Sequence, residues 1–118
     1  MSSAKEVIMN VRKVDETTSI IDIHGEVTGY AENALMDAYT QASNQKTRNI
    51  ILNFSDLVYM NSSGIGLLVT LLIRAQRQKQ LLLAYGLSEH YKEIFELTRL
   101  NEAIGIYDSE AESLVAAG

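Results

Sequence analysis

A chain of 118 residues, 47% hydrophobic and 21% charged, holds enough apolar material for one compact core and has neither a disordered nor a fibrous composition, so a single domain over residues 1–118 is expected. The net charge of -5 and the pI near 4.9 exclude a surface built to neutralise nucleic-acid phosphates. The lack of cysteine excludes disulfides, thiolate metal sites and thiol nucleophiles, and fits a cytoplasmic protein.

The opening MSSAKEVIMN lacks the basic stretch and apolar run of a signal peptide. Val7, Met9 and Val11 alternate with Ile8, Asn10 and Arg12; DETT interrupts, and SIIDIHG resumes with Ile21 and Ile23 opposed to Asp22 and His24. This predicts an N-terminal β-hairpin. Ala31, Leu35, Ala38, Tyr39 and Ala42 recur at spacings of three and four, predicting an amphipathic helix from Tyr30 to about Ser43. NIILNF, Asn49 to Phe54, is β-branched and nearly continuous in apolar character, as a central strand buried on both faces should be. A second helix is expected from about Ser63 to Lys79. Its apolar run, Gly64 to Ile73, falls well short of the roughly 20 residues that span a bilayer, so no membrane segment is expected. LLLAY, Leu81 to Tyr85, reads as another buried strand, and Ser88 as the N-cap of a third helix through Thr98. AIGIY gives a short last strand, and Ser109 with Glu112 has the capping-box spacing that starts a last helix. The fold class is α/β: a hairpin feeding a small mixed sheet of four to five strands, with about four helices.

In such sheets, sites lie beyond the carboxyl ends of strands. YMNSSGIGLL, Tyr59 to Leu68, occupies that place. It is no Walker loop, because Leu67 and Leu68 follow Gly66 where a Lys and a Ser or Thr are needed, and Val69 stands where a dinucleotide fingerprint needs its third glycine. It is no nucleophile elbow, since Met60 stands two positions before Ser62 and Asn61 two before Ser63. His24 and His90 lack a clear carboxylate partner, so neither a triad nor a zinc site is expected. Ser62 or Ser63 is expected to cap the second helix. Ile65, Leu68, Val69 and Leu72 share its core face, opposite Thr70, Arg74 and Arg77. Leu67 and Leu71 fall at the border, covering the core edge or offering a partner an apolar ledge.

The stretch NIILNFSDLVYMNSSGIGLLV resembles the segment shared by bacterial anti-sigma factor antagonists, small single-domain members of the sulfate transporter and anti-sigma antagonist (STAS) domain family. GEV after the second strand, LLLAYGLSEHYKEIFELTRL and IGIYDSEAES extend the likeness over most of the chain. The resemblance implies a STAS-like fold, no enzyme activity and no cofactor. It implies a binding switch in which the unphosphorylated protein binds an anti-sigma factor that is also a serine kinase, frees a sigma factor, loses binding on phosphorylation, and is restored by a serine phosphatase. The phosphoacceptor falls on Ser62, with Ser63 as second choice. The partner-binding stretch falls on Thr28, Gly29, Tyr30, Asn61, Ser62, Ser63, Gly64, Ile65, Gly66 and Leu67. Two positions depart from the family pattern, Asn61 for an aspartate and Thr28 for an acidic residue, and both are expected near the serine. A homodimer is compatible with the sequence, as is an unphosphorylated scaffold role in another regulatory assembly.

Overall fold

The computed structural model describes residues 7–118. Its five strands form one sheet in chain order: β1 (Val7–Lys13), β2 (Thr18–Val27), β3 (Asn49–Met60), β4 (Leu81–Tyr85) and β5 (Gly105–Tyr107). β1 runs antiparallel to β2 and every later pair is parallel. The hairpin closes on Asp15, whose carboxylate accepts from the Thr17 and Thr18 amides at 2.8 and 3.0 Å. Four helices complete the chain: α1 (Glu32–Ala42), α2 (Ser62–Arg77), α3 (Glu89–Leu97) and α4 (Glu110–Ala117). The expected mixed sheet with four helices is therefore present.

Strand alternation sorts the core into two layers. Ile21, Ile23 and Val27 of β2, Ile50, Leu52 and Phe54 of β3, and Leu82 and Ala84 of β4 pack beneath α1, α2 and α3. Ile20, Ile51, Leu83 and Tyr85 face the other way, under Leu114 and Ala117 of α4. β3 lies at the centre with helices on both sides, which is why its first half is almost wholly apolar.

β3 runs on to Met60, beyond the expected end at Phe54. Its register with β2 slips twice, between Asp22 and His24 and between Gly25 and Glu26, so β3 carries extra residues against its neighbour. Each bulge resets the side-chain alternation, and inward positions after Phe54 fall at Leu57 and Met60, a spacing of three that hides a strand from a period-two reading. Pairing with β4 stops at Asn53 and Tyr85, leaving the far half of β3 without that neighbour. Tyr91 of α3 compensates there, its hydroxyl accepting from the Met60 amide at 2.8 Å.

The caps of the last two helices are as expected. Ser88 Oγ accepts from the Tyr91 amide, and Ser109 Oγ from the Glu112 amide at 3.1 Å. Glu112 reaches back to the Asp108 amide, one residue before the cap. Near Tyr30 the backbone first makes a 3₁₀ turn, Gly29–Ala31, and α1 begins at Glu32.

Candidate functional site

The serine loop sits where β3 ends and α2 begins, held by the end of β2. The Asn61 amide donates to the Val27 carbonyl at 3.3 Å, and the Ile65 amide closes the first helical bond on Asn61 O at 3.0 Å. Asn61, in extended conformation, caps the helix: its side-chain Oδ1 accepts from the Gly64 amide at 2.9 Å. This corrects the expectation that Ser62 or Ser63 is the cap. Both serines lie inside the first turn, exposed, with hydroxyls that the capping does not use.

The two glycines differ in purpose. A Cβ on Gly64 would collide with the Val27 carbonyl, so this residue is glycine because β2 lies against it. Around Gly66 a Cβ would meet nothing within 4 Å. Ser63 stands beside the 3₁₀ turn, its Cβ 3.5 Å from where a Cβ on Gly29 would be.

Burial along α2 departs from the expected wheel. Leu67 and Leu71 are core residues at 9% and 0% exposure, while Val69 is 39% exposed and Ile73 44%. Of the two roles expected for Leu67 and Leu71 the structure shows the first, covering the core, and Gly64 beside them is buried as well. Ile65 is half-buried against the core.

Thr28 and Asn61 come together as expected. They line one groove of about 670 Å³ with Val7, Glu26, Tyr30, Ala31, Ala34 and Tyr59. Thr28 shapes it by accepting from the Tyr30 amide at 3.3 Å, which starts the 3₁₀ turn and throws the Tyr30 ring outward at 99% exposure. Glu26 and Tyr59 face each other across β2 and β3. Sequence reasoning passed over both: the signal was a charged and an aromatic residue at strand ends, and only the bulged register makes them neighbours.

His24 has a carboxylate partner after all, its Nδ1 lying 3.1 Å from Asp56 Oδ2 across the same bulged register. That pair is open to solvent, and neither serine hydroxyl hydrogen-bonds to it, so no triad is assembled. His90 is exposed, its ring edge against Tyr91 at 4.9 Å. Among the described residues no group of three or more His, Cys, Asp or Glu could hold a metal, and no helix is long and apolar enough to cross a membrane.

The family model of the STAS domain matches residues 9–113, and the chain belongs to that family. Among curated relatives, the anti-sigma-B factor antagonist of Staphylococcus aureus is 28% identical over 86 residues, covering 73% of this chain and 80% of that protein. Among solved structures, an anti-sigma factor antagonist from Mycobacterium paratuberculosis superposes with a TM-score of 0.82 at 16% identity, covering 99% and 98% of the two chains. The anti-sigma factor antagonist SpoIIAA in its unphosphorylated form gives a TM-score of 0.70 at 21% identity, covering 92% and 94%. The phosphorylated form of the Bacillus SpoIIAA gives 0.58 at 22%, covering 93% and 99%. At these identities the solved structures establish the fold.

Proposed function

We propose that this protein is an anti-sigma factor antagonist: unphosphorylated, it binds an anti-sigma factor that is also a serine kinase, through the face around Ser62, and so releases a sigma factor. The kinase transfers the γ-phosphoryl of ATP to Ser62 Oγ, the hydroxyl proton and ADP leave, and binding ends until a serine phosphatase hydrolyses the ester. The observation that carries this reading is the Asn61 cap, which leaves the serine hydroxyls exposed and unused by the fold. A phosphate of about -1.5 to -2 charge on the first helical residue meets free amide donors and the positive end of the helix dipole, so the fold tolerates it. The same dianion packed against a partner must be desolvated or repelled, at a cost several times the roughly 1.4 kcal/mol that changes affinity tenfold. The names of the relatives, and the existence of SpoIIAA in both phosphorylation states, support the reading. Ser62 is preferred over Ser63 because the family resemblance places the phosphoacceptor on the first serine of the pair.

The test is incubation with the candidate kinase and ATP, mapping of the phosphate by mass spectrometry, and partner binding by wild type, Ser62→Ala and Ser62→Asp. Phosphate on Ser62, wild-type affinity for Ser62→Ala and at least a roughly tenfold loss for Ser62→Asp are expected. Equal binding by Ser62→Asp and wild type sinks the switch. A second reading, an unphosphorylated STAS module in another regulatory assembly, is favoured by Asn61, which offers a kinase or phosphatase an amide where the family resemblance places a carboxylate. It predicts no phosphate on either serine.

A further inference from the structure

Opposite charges are segregated between two neighbouring helices. Residues 57–88 include no Asp or Glu, so α2 and the turn after it are free of acids in a chain of net charge -5. The outer face of α2 carries Val69 and Ile73, then Arg74 and Arg77, all exposed. The outer face of α3 carries Glu89, Glu93 and Glu96 at spacings of four and three, with Leu97 beside them at 78% exposure. Among the described residues no salt bridge engages Arg74, Arg77, Glu93 or Glu96. The arginines suit the carboxyl end of their helix. Glu96 does not: it stands in the last turn of α3, which has no basic residue, where the helix dipole opposes a negative charge. Glu93 adds a like charge one turn from Glu89. The acidic stripe therefore works against the isolated fold, and a matching basic stripe lies one helix away.

β3, β4 and β5 are parallel neighbours, so right-handed crossovers set α2 and α3 side by side on one face of the sheet, pointing the same way. We propose that the outer faces of these helices form the interface of a two-fold homodimer, in which α2 of each copy lies along α3 of the other. A two-fold axis in the interface, parallel to the helices and between them, carries α2 over α3 of the second copy with its direction kept. Both helices end at the same edge of the sheet, so Arg74 and Arg77 come level with Glu93 and Glu96 of the second copy, with Ile73 and Leu97 supplying apolar contact among the ion pairs. Two-fold symmetry makes every pairing twice and closes the assembly at two copies. The inference goes beyond the anti-sigma reading and depends neither on it nor on phosphorylation.

The test is analytical ultracentrifugation of the full chain over a concentration series, at about 50 and about 500 mM salt. Association should stop at twice the chain's mass, with a dissociation constant at least about fivefold higher at the higher salt. Arg77→Glu and Glu96→Arg should each weaken the dimer at least about tenfold, because the symmetry repeats each repulsion. Both positions are exposed, and Glu96→Arg should melt no lower than wild type, since a cation suits that helix end. Mixing the two variants, or combining both substitutions in one chain, restores opposite charges at every pairing and should return the affinity to within about threefold of wild type. A chain that stays monomeric throughout the series overturns the proposal and leaves the two stripes to a foreign partner. Dimerisation indifferent to both substitutions, failure of the mixture to recover, or growth past two copies overturns it as well.

Discussion

Arg12 of β1 and Glu110 at the start of α4 meet across 98 residues of chain, Nη2 to Oε1 at 2.9 Å. The same guanidinium grips Asp22 of β2 with Nε and Nη2 at 2.7 and 2.8 Å. Asn53 of β3 donates to Asp22 at 2.7 Å, and the Tyr85 hydroxyl of β4 donates to Glu110 at 2.9 Å. This network ties the first strand to the last helix over the sheet face that α4 covers in part. Asp22 has a side-chain exposure of 13%, against 44% for Arg12 and 40% for Glu110. Truncating the arginine therefore strands the aspartate more than the glutamate. Arg12→Met, which keeps an apolar stem, should cost about 1–2 kcal/mol, since hydrogen bonds to charged groups contribute more than neutral ones and solvent screens the exposed arm. Urea unfolding with an unchanged m-value checks it.

The network sets a pH dependence with two limbs. Burial alone would raise the Asp22 pKa, but hydrogen bonds from Arg12 and Asn53 and the guanidinium charge outweigh it and hold the carboxyl below the ordinary range. Hydrogen bonds from Arg12 and Tyr85 do the same for Glu110. Carboxyls with depressed folded-state pKa values stabilise the fold above their unfolded values, near about 4, and lose that contribution as pH falls through the folded ones. Tyr85 moves the other way. Burial, then the hydrogen bond and negative charge of Glu110, push its hydroxyl up to about 12. Its contribution is complete below the unfolded value of about 10 and is lost as pH rises to about 12. Stability measured against pH should fall at both ends; Arg12→Met should flatten the acid limb and Tyr85→Phe the alkaline one.

The Asn61 cap separates stability from signalling. Asn61→Ala should cost about 1 kcal/mol, since the Gly64 amide loses its acceptor. Asn61→Asp keeps the bond and adds a negative charge to the helix start, for a gain of about 0.3–1 kcal/mol. Ser62→Ala and Ser63→Ala should stay within about 0.5 kcal/mol of wild type. A loss above 1 kcal/mol in either serine variant, read by thermal or urea unfolding, would show that a hydroxyl supports the fold.

The two loop glycines predict opposite responses to the same substitution. Gly64→Ala forces its methyl into the Val27 carbonyl and should destabilise by about 1–3 kcal/mol, with the strand end displaced. Gly66→Ala enters open space on a helix and should stabilise by about 0.5–1 kcal/mol. If Gly66→Ala also leaves partner affinity unchanged, Gly66 is outside the contact surface.

Most of the fold was legible because hydrophobic period and fold agree over Val7–Val11, Asn49–Phe54, Leu81–Tyr85 and the inner face of α1. The overhang of β3 was not, because two bulges replace a period of two by a spacing of three at Phe54, Leu57 and Met60. At the loop, three adjacent residues, Asn61, Ser62 and Ser63, are all good caps, and only the extended backbone at 61 selects the asparagine. Leu67 and Leu71 stood at the border of an idealised wheel; the sheet lies closer to their side of α2 than to Val69. His24 with Asp56 and Glu26 with Tyr59 are pairs made by register, and no local pattern encodes a register slip.

The central strand also sorts the molecule into two poles. Its first residue, Asn49, donates through Nδ2 to the carbonyl of Ala117 at 3.2 Å, so the end of α4 is moored where β3 begins, while Ser62 follows where β3 stops. Twelve residues of extended strand, roughly 30 Å even with the two bulges, separate these points. A fluorescent protein or affinity handle fused after Gly118 therefore hangs from the pole remote from the serine. The domain can be immobilised, labelled or carried as cargo there without obstructing approach to its opposite tip.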